Sequence, residues 1–138
     1  MPFSTLLKST IRRLINKYPE NRDVHGLVCS ISVVYGYLGS VKQQKPIDCN
    51  GNPIPWFTYS AIEFLDSLPL SEMRVFEWGS GNSSSYFSAR CSSVESVESH
   101  YDWYKYQLAI ANPNQTVLLK DGGSIEYSGA ISLGESPY

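Results

Sequence analysis

The sequence predicts an α/β fold: half of a doubly wound sheet, three parallel strands in the order βαβαβ, carried behind a helical amino-terminal extension. Three observations predict it. Val75-Phe76-Glu77-Trp78 is a short apolar and aromatic run that enters Gly79-Ser80-Gly81, as a strand enters a glycine turn. Beyond that turn, segments of helical and strand texture alternate as far as residue 119. Ahead of it, the apolar residues recur with a helical period.

Length and composition fit one globular domain. The chain has 138 residues, 42% hydrophobic and 17% charged, which excludes disorder and collagen-like composition. The net charge of −2 leaves no basic field for a nucleic-acid backbone, although the distribution is uneven: residues 1 to 45 carry seven basic and two acidic side chains, and the rest four and eleven. Cys29, Cys49 and Cys91 are an odd number with no close pair, and His25 and His100 are far apart. Neither a disulfide framework nor a metal site is expected, and a reducing, cytoplasmic setting fits.

Residues 4 to 18 place Leu6, Leu7, Ile11, Leu14, Ile15 and Tyr18 on one side of a helix that Pro19 stops, and the basic residues elsewhere. Its lack of acid resembles a transit peptide, but a basic surface helix is the preferred reading. Residues 24 to 41 are apolar but interrupted by glycine and serine, so a buried helix is expected rather than a membrane span. The region 1–45 thus forms the helical extension. Residues 46–72 are a Pro/Gly connector, turning at Asn50-Gly51, and a lead-in helix in which Ser60 and Glu63 have the spacing of a capping box. Trp56, Phe57 and Tyr59 crowd its entrance and read as core aromatics.

Within 73–120, residues 82 to 91 read as a helix capped near Asn82 or Ser83, 94 to 97 as a strand, 102 to 111 as a helix and 116 to 119 as a strand. Residues 121–138 hold four glycines and four serines, a loop with one weak helical turn.

The chemistry gathers at the strand ends. Glycines at 79 and 81 let a ligand approach the main chain, and the helix opening after them favours an anion. Glu77 stands two residues before the turn. Glu98 stands nineteen residues after Gly79, at the end of the second strand, where an acid can accept bonds from both ribose hydroxyls. Two acids and a glycine turn at strand ends describe a nucleoside pocket.

Through residues 75–84 and Val94-Glu95-Ser96-Val97-Glu98 the chain resembles the class I S-adenosylmethionine-dependent methyltransferases. The run Gly51-Asn52-Pro53-Ile54-Pro55-Trp56-Phe57-Thr58-Tyr59 is similar to the lead-in of a bacterial subgroup of that family. The resemblance implies a Rossmann-like sheet and S-adenosyl-L-methionine as cofactor. It implies Gly79, Ser80, Gly81, Asn82 and Ser83 around the methionine portion, Glu77 near its ammonium, Glu98 on the ribose and Asp121 near adenine. Beside their reading as core, one of the aromatics Trp56, Phe57 and Tyr59 is a candidate lid over the cofactor. The family fold has about seven strands, so the sequence is expected to be an amino-terminal half, incomplete for catalysis, with catalytic residues unassigned and its acceptor unknown. Self-association, or pairing with a complementary half through the first strand, is the expected partnership. A nicotinamide-dependent oxidoreductase or epimerase shares the βαβ pattern, but it favours a third small residue in G-x-G-x-x-G, where Ser84 stands. A non-catalytic assembly module is the third class.

Overall fold

A computed structural model describes residues 22–133. The helix expected over residues 4–18 lies outside them, as do residues 134–138 of the tail. The described chain is α/β, with a parallel sheet in the order β1-β2-β3. Its strands are β1 (Arg74–Trp78), β2 (Ser93–Glu98) and β3 (Gln115–Leu119). Val75 pairs with Val94 and Glu77 with Ser96; Ser96 pairs in turn with Val117, and Glu98 with Leu119.

The segment expected as one buried helix is two helices with largely exposed apolar side chains, α1 (Arg22–Tyr35) and α2 (Tyr37–Gln43). Gly36 separates them at φ 74°, and a Cβ there would sit 2.3 Å from the Asp48 carbonyl carbon. Only glycine permits that approach. The packed side of α2 is therefore its small one: Gly39 faces Ile47, and Ser40 Oγ bonds both the amide (3.0 Å) and the carbonyl (2.9 Å) of Ile47. Leu27, Val33, Val34, Leu38 and Val41 are left outward, Val33 at 73% exposure. Their hydrophobicity suggested burial, but the helix approaches the connector through its glycines.

Asp48 organises the connector. Its carboxylate accepts the Asn50 and Asn52 amides, each at 2.8 Å, and the Asn52 side-chain amide at 2.9 Å. Gly51 turns the chain at φ 88°, and Ile47 bridges Pro53.

The lead-in helix α3 (Tyr59–Asp66) is capped by Thr58, whose Oγ1 accepts the Ala61 amide at 3.3 Å. The expected Ser60–Glu63 capping box is therefore not the cap: both residues lie within the helix, and Glu63 instead accepts from the Tyr35 hydroxyl. Trp56 and Phe57 are not core residues either, since Trp56 is 82% exposed and Phe57 is also exposed. Backbone bonding at Pro46 and Asn52 fixes the connector that carries them, so the residues it buries are Ile54 and Pro55. The core gathers Ile54, Ile62, Leu70, Tyr86, Phe87, Cys91 and Val94 between α3, a 3-10 turn (Leu70–Glu72), the helix α4 (Asn82–Ser88) and the sheet.

Helix α4 (Asn82–Ser88) is shorter than expected and takes Gly81 as its N-cap, in place of Asn82 or Ser83. A clasp fastens it to α3: the Tyr86 hydroxyl donates to Asp66 Oδ1 at 2.5 Å, and Arg90 pairs with Asp66 at 3.3 Å while lying over the Tyr86 ring. Burial, and after it the bond to Asp66, raises the Tyr86 phenol pKa well above its ordinary value. Helix α5 (Tyr101–Ile110) is capped by His100 and buries Gln107, leaving Trp103, Tyr106, Leu108 and Ile110 exposed. Asn112 Nδ2 donates to Ser88 Oγ at 2.7 Å, joining the end of α5 to α4. The opposite sheet face carries Phe76, Trp78, Val97 and Leu118. There α6 (Ile125–Ser128) docks through a bond from Trp78 Nε1 to the Tyr127 carbonyl at 3.1 Å, and a final 3-10 turn (Ala130–Leu133) follows. Among the described residues no helix is long and apolar enough to cross a membrane.

Candidate functional site

Parallel strands deliver their carboxyl ends to one side of the sheet, and there the chain leaves β1 through Gly79-Ser80-Gly81 and β2 through Glu98-Ser99-His100. Gly79 holds φ 87°, which favours glycine. Gly81 is extended at φ 175°, a conformation open to any residue. Nothing lies within 4 Å of where a Cβ would stand at either glycine. The turn is half-buried with open space beside both glycines, and internal packing does not explain the glycine at 81.

All three turn amides are committed inside the protein. Gly79 N–H donates to the Val97 carbonyl at 2.7 Å, Ser80 N–H to Glu98 Oε2 at 3.1 Å, and Gly81 N–H to Ser84 Oγ at 3.0 Å. Ser84 and Ser96 are both fully buried between α4 and β2, their hydroxyl oxygens 3.3 Å apart, and Ser96 Oγ lies 3.2 Å from Glu77 Oε2. Each serine has one proton to give. The chain therefore runs from Gly81 N–H to Ser84, from Ser84 to Ser96, and from Ser96 to the Glu77 carboxylate.

Glu98 is 7% exposed. Its Oε1 accepts the amides of Ser99 (2.8 Å) and His100 (2.9 Å), and its Oε2 accepts the amide and the hydroxyl of Ser80, both at 3.1 Å. Burial alone would raise its pKa. The bonds from the His100, Ser80 and Ser99 amides and the Ser80 hydroxyl outweigh burial and hold it below the ordinary glutamate value. Glu98 is thus an anion at neutral pH. Of its four donors only the Ser80 hydroxyl is a rotor that can turn away. Neither Glu77 nor Glu98 belongs to an ion pair among the described residues.

The other expected site residues divide between two places. Asp121 is exposed just past β3, its Oδ1 accepting the Gly123 amide at 3.2 Å, and a Cβ on neighbouring Gly122 would lie 3.0 Å from Ser99 Cβ. That brings the Asp121 loop to the Glu98 end. Asn82 spends its side-chain amide on the Pro46 carbonyl at 2.7 Å, tying the connector to the turn, and Ser83 is half-buried beside it. Trp56 and Tyr59 line a separate cavity whose wall contains none of Glu77, Gly79, Ser80, Gly81, Glu98 and Asp121.

Sequence reasoning missed Trp103, whose indole N–H donates to the Ser80 carbonyl at 2.6 Å and whose ring stacks on Tyr106 at 5.1 Å. The signal was its place in the first turn of the helix after Glu98. It also missed the Ser84–Ser96 link, for which the available hint was Ser84 standing at the third small position of the glycine pattern. Among the described residues no group of three His, Cys, Asp or Glu is placed to hold a metal ion. Comparison with family models, with curated proteins and with solved structures finds no match.

Proposed function

We propose that the strand-end site binds S-adenosyl-L-methionine, and that the chain is the cofactor-binding portion of a methyltransferase. One observation carries the reading: the site offers acceptors and open space, while the amides of its turn are already used. A pyrophosphate needs free turn amides, and Ser80 and Gly81 have none to give. That disfavours a nicotinamide dinucleotide. Two carboxylates without cations suit a ligand that brings hydroxyls and positive charge.

In this reading Glu98 accepts the ribose hydroxyls, one of them in place of the Ser80 hydroxyl. Glu77, half-buried and held through Ser96, faces the ammonium. Gly79 and Gly81 leave room for the methionine chain, and the Asp121 loop borders the adenine. When bound, the cofactor supplies a methyl group on a sulfonium. The residues of this chain bind and orient it.

The test is calorimetric titration with S-adenosylhomocysteine and with NAD. The expected outcome is measurable binding of the former and not of the latter, with Glu98→Ala weakening the homocysteine compound about ten- to a hundredfold, as expected for bonds to a charged group. Equal affinity in parent and variant would remove Glu98 from the site. Tighter binding of NAD would overturn the assignment.

A further inference from the structure

The cavity beside the connector belongs to a different chemistry. It encloses about 630 Å³, within the range of small-molecule sites, and lies among α2, the connector and the start of α3. Tyr37, Trp56, Phe57 and Tyr59 line it, and the first three are exposed although each offers a large apolar surface. Rings left open around one concavity favour a flat, apolar guest that covers them.

The polar part of the wall narrows the choice. Among the described residues Lys45 is its one charged side chain and no aspartate or glutamate lines it, so they offer a cation no counter-charge there. The Lys45 ammonium has no carboxylate partner among the described residues; its contacts are the Tyr106 hydroxyl at 3.4 Å and the Tyr106 ring at 5.7 Å. A single lysine without an arginine fork suits one carboxylate better than a multiply charged phosphate. Gln44, also in the wall, is the left-handed C-cap that ends α2 (φ 53°), and this helix stop brings 44, 45 and 46 to the cavity together.

We propose that this cavity binds a planar aromatic monocarboxylate, its ring against Trp56 and its carboxylate on Lys45. The cavity wall contains none of Glu77, Gly79, Ser80, Gly81 and Glu98. It borders the strand-end turn at two points: Pro46, whose carbonyl accepts from Asn82, and Lys45, which reaches Tyr106, the ring stacked on the Trp103 that bonds the Ser80 carbonyl.

The experiment uses 2-naphthoate and its neutral isostere 2-naphthamide, followed by tryptophan fluorescence and calorimetry at low ionic strength. Naphthoate should bind at least fivefold more tightly than the amide. Lys45→Gln, at an exposed position, should erase that difference by weakening the acid alone about five- to tenfold. Trp56→Ala should weaken both ligands. Glu98→Ala should change neither, which separates this site from the S-adenosylhomocysteine titration: either can fail while the other stands. Circular dichroism confirms that each variant is folded. Equal binding of acid and amide, or naphthoate binding indifferent to Lys45→Gln, would overturn the proposal.

Discussion

Glu98 joins folding to ionisation. Its pKa in the folded chain lies below the ordinary value of 4.5, so the carboxylate contributes stability that is fully present above that value and is lost as pH falls through the lower, folded value. Glu98→Gln removes the charge but keeps the shape, and it turns an N–H group toward donors. The expected cost at pH 7 is about 1 to 2 kcal/mol, discounted for solvent screening. Urea titrations at pH 7, 5, 4 and 3 should show the gap between parent and variant closing toward the acid end; a gap of constant size would mean the four bonds carry no net stability. The residue was legible in the sequence through its spacing from Gly79. Its donors were not: Ser99 and His100 turn back on it within its own loop, and the two groups of Ser80 reach it only once β1 and β2 pair.

Local elements follow local chemistry wherever that chemistry is self-contained. Val75 to Trp78, followed by glycine, reads as a strand and a turn because an apolar run and a conformational need coincide within a few residues. Helix α5 begins where His100 can cap it. Helix α3 shows the opposite case, since Thr58, Ser60 and Glu63 all stand near its start and the pattern alone favoured the pair three apart. The structure uses Thr58, at the bend where the chain leaves the proline connector. Thr58→Ala should therefore destabilise the fold by about 1 kcal/mol, while Ser60→Ala, inside the helix and exposed, should be neutral or slightly stabilising. Thermal unfolding of the two variants decides it: equal losses would return Ser60 to the cap. The α1–α2 pair misled for a longer-range reason. Its strongest local signal, the valines and leucines, faces outward because Gly36 must meet Asp48, a contact twelve residues away that no periodicity contains.

At the scale of the molecule, the sheet has one face covered by α4 and α5 and another met by α6 and the last 3-10 turn. Arg74 and Phe76 on β1 both have interaction partners. Strand β1 is an edge of the sheet, and an open apolar surface also lies on α1 and α2, where Leu27, Val33, Val34, Leu38 and Val41 are all more than half exposed. With a net charge of only −2, little repulsion opposes contact between copies. The chain should self-associate through this surface. Light scattering after size exclusion, over a concentration series, should give a mass that rises above the monomer for the parent and stays near it for Val33→Lys combined with Leu38→Lys. A parent that remains monomeric throughout would rule this association out. The α/β class, the three parallel strands and the glycine turn were readable in the sequence. The Ser84–Ser96 link was not, since a serine on a short helix or a strand looks like surface until the two elements pack together.

The carboxylate of Glu98 is also a staple. One anion holds the amide protons of Ser80, Ser99 and His100, drawn from two loops that share no sequence. In hydrogen–deuterium exchange these three protons should therefore behave as a single unit, slow together at neutral pH and released together when Glu98 takes a proton. A ribose hydroxyl that takes the place of the Ser80 hydroxyl leaves all three amide bonds to Glu98 intact, so filling the site should slow exchange at Ser80, Ser99 and His100 together. Occupancy could then be read from these three amides, without a label on the ligand.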